Sequence, residues 1–149
     1  MPSMKTPHSD EGLCRDIEEA LEQVPDIAAA YLYGSAVRAQ RTPLSDVDVA
    51  LVAGSELRDE ARGDLLRAAL VALARRRRGV TFDVRFLDEL PAAIAGRVVG
   101  EGVLVFERDA ARRVQAEVRA RMLYHDFLPF EAAGTREGIA GLRKQLDVG

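Results

Sequence analysis

Apolar residues along this 149-residue chain change their spacing several times, and each spacing predicts a different element. Leu13, Ile17, Leu21 and Val24 recur at the period of one helix face, and Pro25 stops the run. Ser9 stands where it can cap that helix, while Pro2 and Pro7 mark residues 1–8 as a disordered N-terminus. Residues 27–33, IAAAYLY, form an unbroken apolar run short enough for a buried strand. A Gly-Ser turn, a short helix near residues 36–40 and a loop over 41–45 then lead to a second apolar strand at about 46–53. Leu65, Leu66, Ala69, Leu70 and Leu73 restore helical spacing over 56–78 despite Gly63, and Gly79 ends that helix. Residues 80–87 alternate, with Thr81, Asp83 and Arg85 on the polar side of a half-buried strand. Pro91 opens a helix reaching about residue 99, followed by a short strand over 103–107 and a helix over 109–127. The order predicts an α/β (α+β) sheet flanked by helices, one domain over 9–130, and a C-terminal tail over 131–149 able to form a short helix.

Composition narrows this picture. The length suits one domain with a real core. A formal net charge of −3 argues against broad electrostatic binding to nucleic acid, so no direct nucleic-acid contact is expected. The single cysteine, Cys14, cannot form an internal disulfide and reads as a small buried apolar residue on the first helix. Neither a leader-like segment nor a bilayer-length apolar stretch is present, and the expectation is a soluble, cytoplasmic protein with no membrane partner.

The candidate chemistry lies in YLYGSAVRAQRTPLSDVDVALV. Gly34 ends the first strand with a turn that a residue lacking Cβ permits, and Ser35 follows where backbone N–H groups and a hydroxyl can seat a polyphosphate. Arg38, one turn on, is either a further phosphate ligand or half of an ordinary surface ion pair. Asp46 and Asp48 lie two apart at the start of a strand and project from one face. Neighbouring carboxylates repel unless a cation bridges them, and hard oxygen donors favour Mg²⁺ or Mn²⁺. Asp83, on the polar face of the third strand, is placed to join the pair. Three carboxylates on adjacent strands can hold two divalent ions about 3.5–4 Å apart. The set predicts nucleotidyl transfer, with Asp46, Asp48 and Asp83 as catalytic and metal-binding residues and Gly34, Ser35 and Arg38 as nucleotide ligands.

The pattern Gly34-Ser35-x10-Asp46-x-Asp48, with a later strand carboxylate at Asp83, resembles the signature of the polymerase-β-type nucleotidyltransferase superfamily. More narrowly, the chain resembles the minimal nucleotidyltransferase (MNT) antitoxins of HEPN/MNT toxin–antitoxin pairs. Residues 80–91 are similar to that family's third-carboxylate strand, 100–109 to its following β-hairpin-like stretch, and 124–130 to its closing helix, so the likeness spans about 13–130. Phe86 stands where members often carry a further acid, and the tail from Glu131 has no counterpart in the family pattern. The resemblance implies a minimal polymerase-β-type fold with a mixed sheet. It also implies a Mg²⁺-dependent protein adenylyltransferase that moves AMP from ATP to a hydroxyl, that of a tyrosine, on a cognate HEPN ribonuclease toxin, neutralising it within a hetero-oligomer. Two alternatives stay open: a non-catalytic antitoxin that masks its toxin by contact, and an adenylyltransferase acting on a small molecule or an RNA end.

Other features read more plainly. Arg75 to Arg78 complement the dipole at a helix C-terminus and form a solvated face. His125 and Asp126 are helix neighbours that diverge by about 100°, too far to act as a dyad. Tyr124, Phe127, Leu128 and Phe130 either cap the core or meet a partner.

Overall fold

The computed structural model describes residues 11–37 and 46–136. Helix α1 (Glu11–Glu22) precedes strand β1 (Ile27–Tyr33), which ends in a 3₁₀ turn at Gly34–Ala36. Then follow β2 (Val47–Ala53), α2 (Asp59–Arg76), β3 (Phe82–Phe86), a second 3₁₀ turn at Leu87–Glu89, α3 (Ala92–Glu101), β4 (Val103–Glu107) and α4 (Ala110–Arg136). The sheet runs β3-β2-β1-β4. Strands β2 and β3 are parallel, with α2 as the crossover between them, while β1 is antiparallel to both β2 and β4. The expected mixed sheet flanked by helices is therefore present.

Strand alternation divides the core into two layers. Val47, Val49 and Leu51 of β2, with Leu32, Val84 and Phe86, face Leu13, Ile17 and Leu21 of α1 and Leu65, Ala69 and Leu73 of α2. Tyr31, Ala50 and Val52 face the other way, onto Leu87, Leu90, Ala95 and Val98 around α3 and Ala120 of α4. Cys14 is fully buried on α1, as its composition reading required. Arg108 closes the α1 end of the first layer: its guanidinium donates to the carbonyls of Glu22, Val24 and Ile27 at 2.9–3.1 Å, tying together the connection from the last residue of α1 to the first of β1.

Several boundaries differ from the sequence reading for identifiable reasons. Helix α2 starts at Asp59 rather than near residue 56, because Gly54 N–H donates to Asp26 O at 2.7 Å and Ser55 Oγ donates to the Asp26 carboxylate at 2.9 Å. Those bonds hold the chain in a turn until Arg58, which is still extended. Two of the arginines read as a solvated face, Arg76 and Arg77, instead reach Asp16 of α1 at 3.6 and 3.4 Å. The stretch 100–109 is not hairpin-like: it holds the end of α3 and a single strand, β4, which pairs with β1. Helix α4, capped by Asp109 Oδ1 accepting from Arg112 N–H at 3.1 Å, continues through Pro129 to Arg136. A proline in a helix removes one N–H donor, and here it does not end the helix.

Expectations for residues 1–8, the Ser9 cap, Arg38, the rest of the short helix after the Gly34–Ala36 turn, the loop over 41–45 and the tail beyond Arg136 lie outside the described residues. Among the described residues no helix is long and apolar enough to cross a membrane.

Candidate active site

Strand register assembles the site. Tyr33 of β1 sits opposite Asp48 of β2, and Asp48 sits beside Asp83 of β3. The three side chains form one polar row across three strands, all on the face that carries α3 and α4 and all half-buried. Val47 N–H donates to Thr81 O at 2.8 Å, locking the β2–β3 register from which the row follows. Arg85, two residues beyond Asp83 and on the same face, places Nε 3.3 Å from Asp83 Oδ1.

Gly34 explains itself at this point. Its φ of +75° lies in the left-handed region, and a Cβ built there would stand 2.4 Å from Asp48 Oδ2. The turn thus needs glycine twice, for its backbone and for the close approach of the carboxylate. Ser35 follows in the same 3₁₀ turn, half-buried beside the site. Asp46 is exposed and lies one residue before β2, not within it as expected. The structure brings together Gly34, Asp48 and Asp83. It does not draw Asp46 into a closed cage: among the described residues, no group of three or more His, Cys, Asp or Glu side chains is arranged to hold a metal ion.

The donor set nevertheless fits a divalent cation in kind. Asp48 and Asp83 are adjacent half-buried carboxylates in register, hard oxygen donors of the type Mg²⁺ takes, and Gly34 leaves no Cβ over Asp48. Their charge is felt nearby. The Tyr33 hydroxyl is pushed up to about 12, first by burial and then by Asp48 and Asp83, with Arg85 opposing. The Arg85 guanidinium is in turn held charged chiefly by its hydrogen bond to Asp83.

Helix α3 supplies a wall that no sequence motif places here. A cavity of about 280 Å³ opens between it and the polar row, lined by Tyr33, Gly34, Asp48, Arg97, Glu101 and Gly102 among others. A Cβ on Gly102 would lie 2.4 Å from Val98 O and 3.2 Å from Leu32 O, so this glycine lets the end of α3 settle onto β1. A larger cavity of about 830 Å³ lies along α4, but none of the predicted site residues lines it. Of these two cavities, the smaller is the one lined by both the glycine turn and a strand carboxylate. On α4, Tyr124 packs over Gly96 of α3 and stacks near Phe127, with ring centroids 6.5 Å apart, so that part of the aromatic cluster caps the α3–α4 contact. His125 and Asp126 are both exposed.

The model of the polymerase beta nucleotidyltransferase family matches residues 15–111, a span that contains the glycine turn and all three carboxylates. The chain belongs to this family. No curated protein matches it in sequence. The fold of this nucleotidyltransferase is similar to a chain of a toxin–antitoxin complex solved with AMP-PNP, at TM-score 0.62 and 20% identity, over 85% of this chain and 98% of that one. It is also similar to a chain of the MntA–HepT toxin–antitoxin, at TM-score 0.58 and 19% identity, over 87% and 99% of the two chains. A third likeness is to a chain of a complex between a tri-AMPylated HEPN toxin from Shewanella oneidensis and an MNT antitoxin, at TM-score 0.58 and 19% identity, over 87% and 98%. At these identities the likeness is one of fold.

Proposed function

We propose that this nucleotidyltransferase is a cytoplasmic antitoxin that transfers AMP from ATP to a hydroxyl, that of a tyrosine, on a cognate HEPN ribonuclease toxin with which it forms a hetero-oligomer. The observation that carries the reading is the left-handed Gly34 turn pressed against Asp48, which lies in register with Asp83. The fold likeness to complexes described with AMP-PNP and with an AMPylated HEPN toxin supports the choice of nucleotide and acceptor.

In this reading the Gly34–Ala36 turn, the Ser35 hydroxyl and Arg38 bind the triphosphate. Asp46, Asp48 and Asp83 would hold Mg²⁺, which when bound favours the deprotonated acceptor and offsets charge on the departing phosphates. The acceptor oxygen attacks the α-phosphorus, the bond to the β-phosphate breaks, and pyrophosphate leaves. Asp83, oriented by Arg85, takes the hydroxyl proton. Tyr33, kept neutral, remains a hydrogen-bond donor beside both acids. Most of the rate comes from positioning and charge, as is usual for phosphoryl-type transfer.

A second reading has its own observation. Val114, Val118 and Met122 form an exposed apolar stripe on α4, a surface by which the chain would mask its toxin without chemistry. Co-expression with the HEPN partner, followed by that partner's intact mass, separates the two. The transfer reading expects one or more added AMP groups with wild type and none with the Asp46→Asn/Asp48→Asn variant, together with loss of protection. An unmodified toxin that stays suppressed by both forms of the chain rejects transfer in favour of masking.

A further inference from the structure

Arg97 lines the wall of the cavity whose floor is formed by Gly34 and Asp48. It is exposed on α3, and that helix is anchored by Gly102 against the Val98 and Leu32 carbonyls and by Gly96 beneath Tyr124. Other arginines near the sheet are engaged: Arg62 with Asp88 and Glu89, Arg85 with Asp83, Arg113 with Glu107 and Glu117, and Arg108 with backbone carbonyls. Arg97 forms no ion pair or hydrogen bond with any described residue, not even with Glu101, one turn along the same helix and in the same cavity.

Arg97 is the one cation lining this cavity among the described residues, with Asp48 and Glu101 as its lining acids, while Asp83, next in the row, already has Arg85 at 3.3 Å. A nucleoside triphosphate adds several negative charges, whereas an acceptor hydroxyl adds none. A guanidinium presents a planar fork that matches non-bridging phosphate oxygens, and one held on a packed helix loses little freedom in binding them. We infer that Arg97 binds the triphosphate tail, gripping the β- and γ-phosphates from the α3 side while the Gly34–Ser35 turn holds the opposite side, and that it remains with pyrophosphate as it leaves. The inference rests on the nucleotidyl-transfer reading and adds to it a phosphate ligand from outside the glycine-and-carboxylate motif.

The test is calorimetric binding of AMP-PNP and of AMP, with Mg²⁺, to the full chain as wild type, Arg97→Ala and Arg97→Lys, with thermal melting of each. Loss of one charge-assisted hydrogen bond weakens AMP-PNP binding to Arg97→Ala by about tenfold. The expected result is that loss, AMP binding changed less than about twofold, partial recovery in Arg97→Lys, and unchanged melting. Equal weakening of both ligands, or of neither, overturns the inference while leaving the nucleotidyltransferase reading in place. A well-folded wild type that binds neither ligand overturns that reading and the inference with it.

Discussion

The two faces of the sheet use the same strands for different ends. Toward α1 and α2, β2 and β3 present Val47, Val49, Leu51, Phe82, Val84 and Phe86, and the layer is apolar throughout. Toward α3 and α4, the residues between them are Asp48, Ala50, Val52, Asp83 and Arg85, so the row nearest the glycine turn is polar and half-exposed. A strand alternates its side chains, so a single strand can serve stability and chemistry at once, one residue apart. The α1/α2 face holds the register, and the register is what sets Tyr33, Asp48 and Asp83 side by side.

Substitutions on the two faces should therefore separate activity from stability. Asp48→Asn, which keeps the shape and removes the charge, should lower AMP transfer by about 10³-fold while the melting temperature holds or rises, since two neighbouring carboxylates no longer repel. Ile17→Ala, fully buried against the opposite face, should cost about 2–5 kcal/mol in denaturant unfolding, with transfer per folded molecule unchanged. Gly34→Ala breaks the separation, because its Cβ would meet Asp48 in a left-handed turn. It should lose about 1–3 kcal/mol and also lose transfer, read by melting and by rate on the same sample.

Smaller effects sharpen the contrast within the α3/α4 face itself. Tyr31 is buried and donates to Glu117, which also receives Arg113 at 2.9 Å. Tyr31→Phe should cost about 1 kcal/mol and leave transfer intact, since Glu117 keeps its arginine. Tyr33 shows its effect only at alkaline pH. Its hydroxyl titrates near 10 in the unfolded chain and near 12 when folded, so its contribution is complete below pH 10 and is lost as pH rises from 10 through 12. Stability of Tyr33→Phe, measured by denaturant unfolding across that range, should fall less steeply than that of wild type.

Much of this was legible because the signals are local. The order of helices and strands followed from periodicity, and residues 27–33 and 103–107 match β1 and β4. Gly34 was readable as a tight turn, and Asp48 and Asp83 as strand carboxylates on polar positions. What was not legible depends on distant partners. The start of α2 is set by Asp26, almost thirty residues away, and the fate of Arg76 and Arg77 by Asp16 on another helix. The passage of α4 through Pro129 runs against the usual local signal for a helix end. Arg97 and Glu101 carry no motif; only the packing of α3 over β1, permitted by Gly102, brings them to the carboxylates.

The most direct test is Asp83→Asn, the one site carboxylate that lies far in sequence from the glycine turn and joins it only through β2–β3 pairing. Intact mass of the co-expressed HEPN partner, with melting of the variant alongside, reports chemistry and fold together. A wild-type melting curve with no AMP added to the partner is the predicted result. AMP addition at the wild-type level by a folded Asp83→Asn chain would contradict a transfer centre built on the Asp48–Asp83 register.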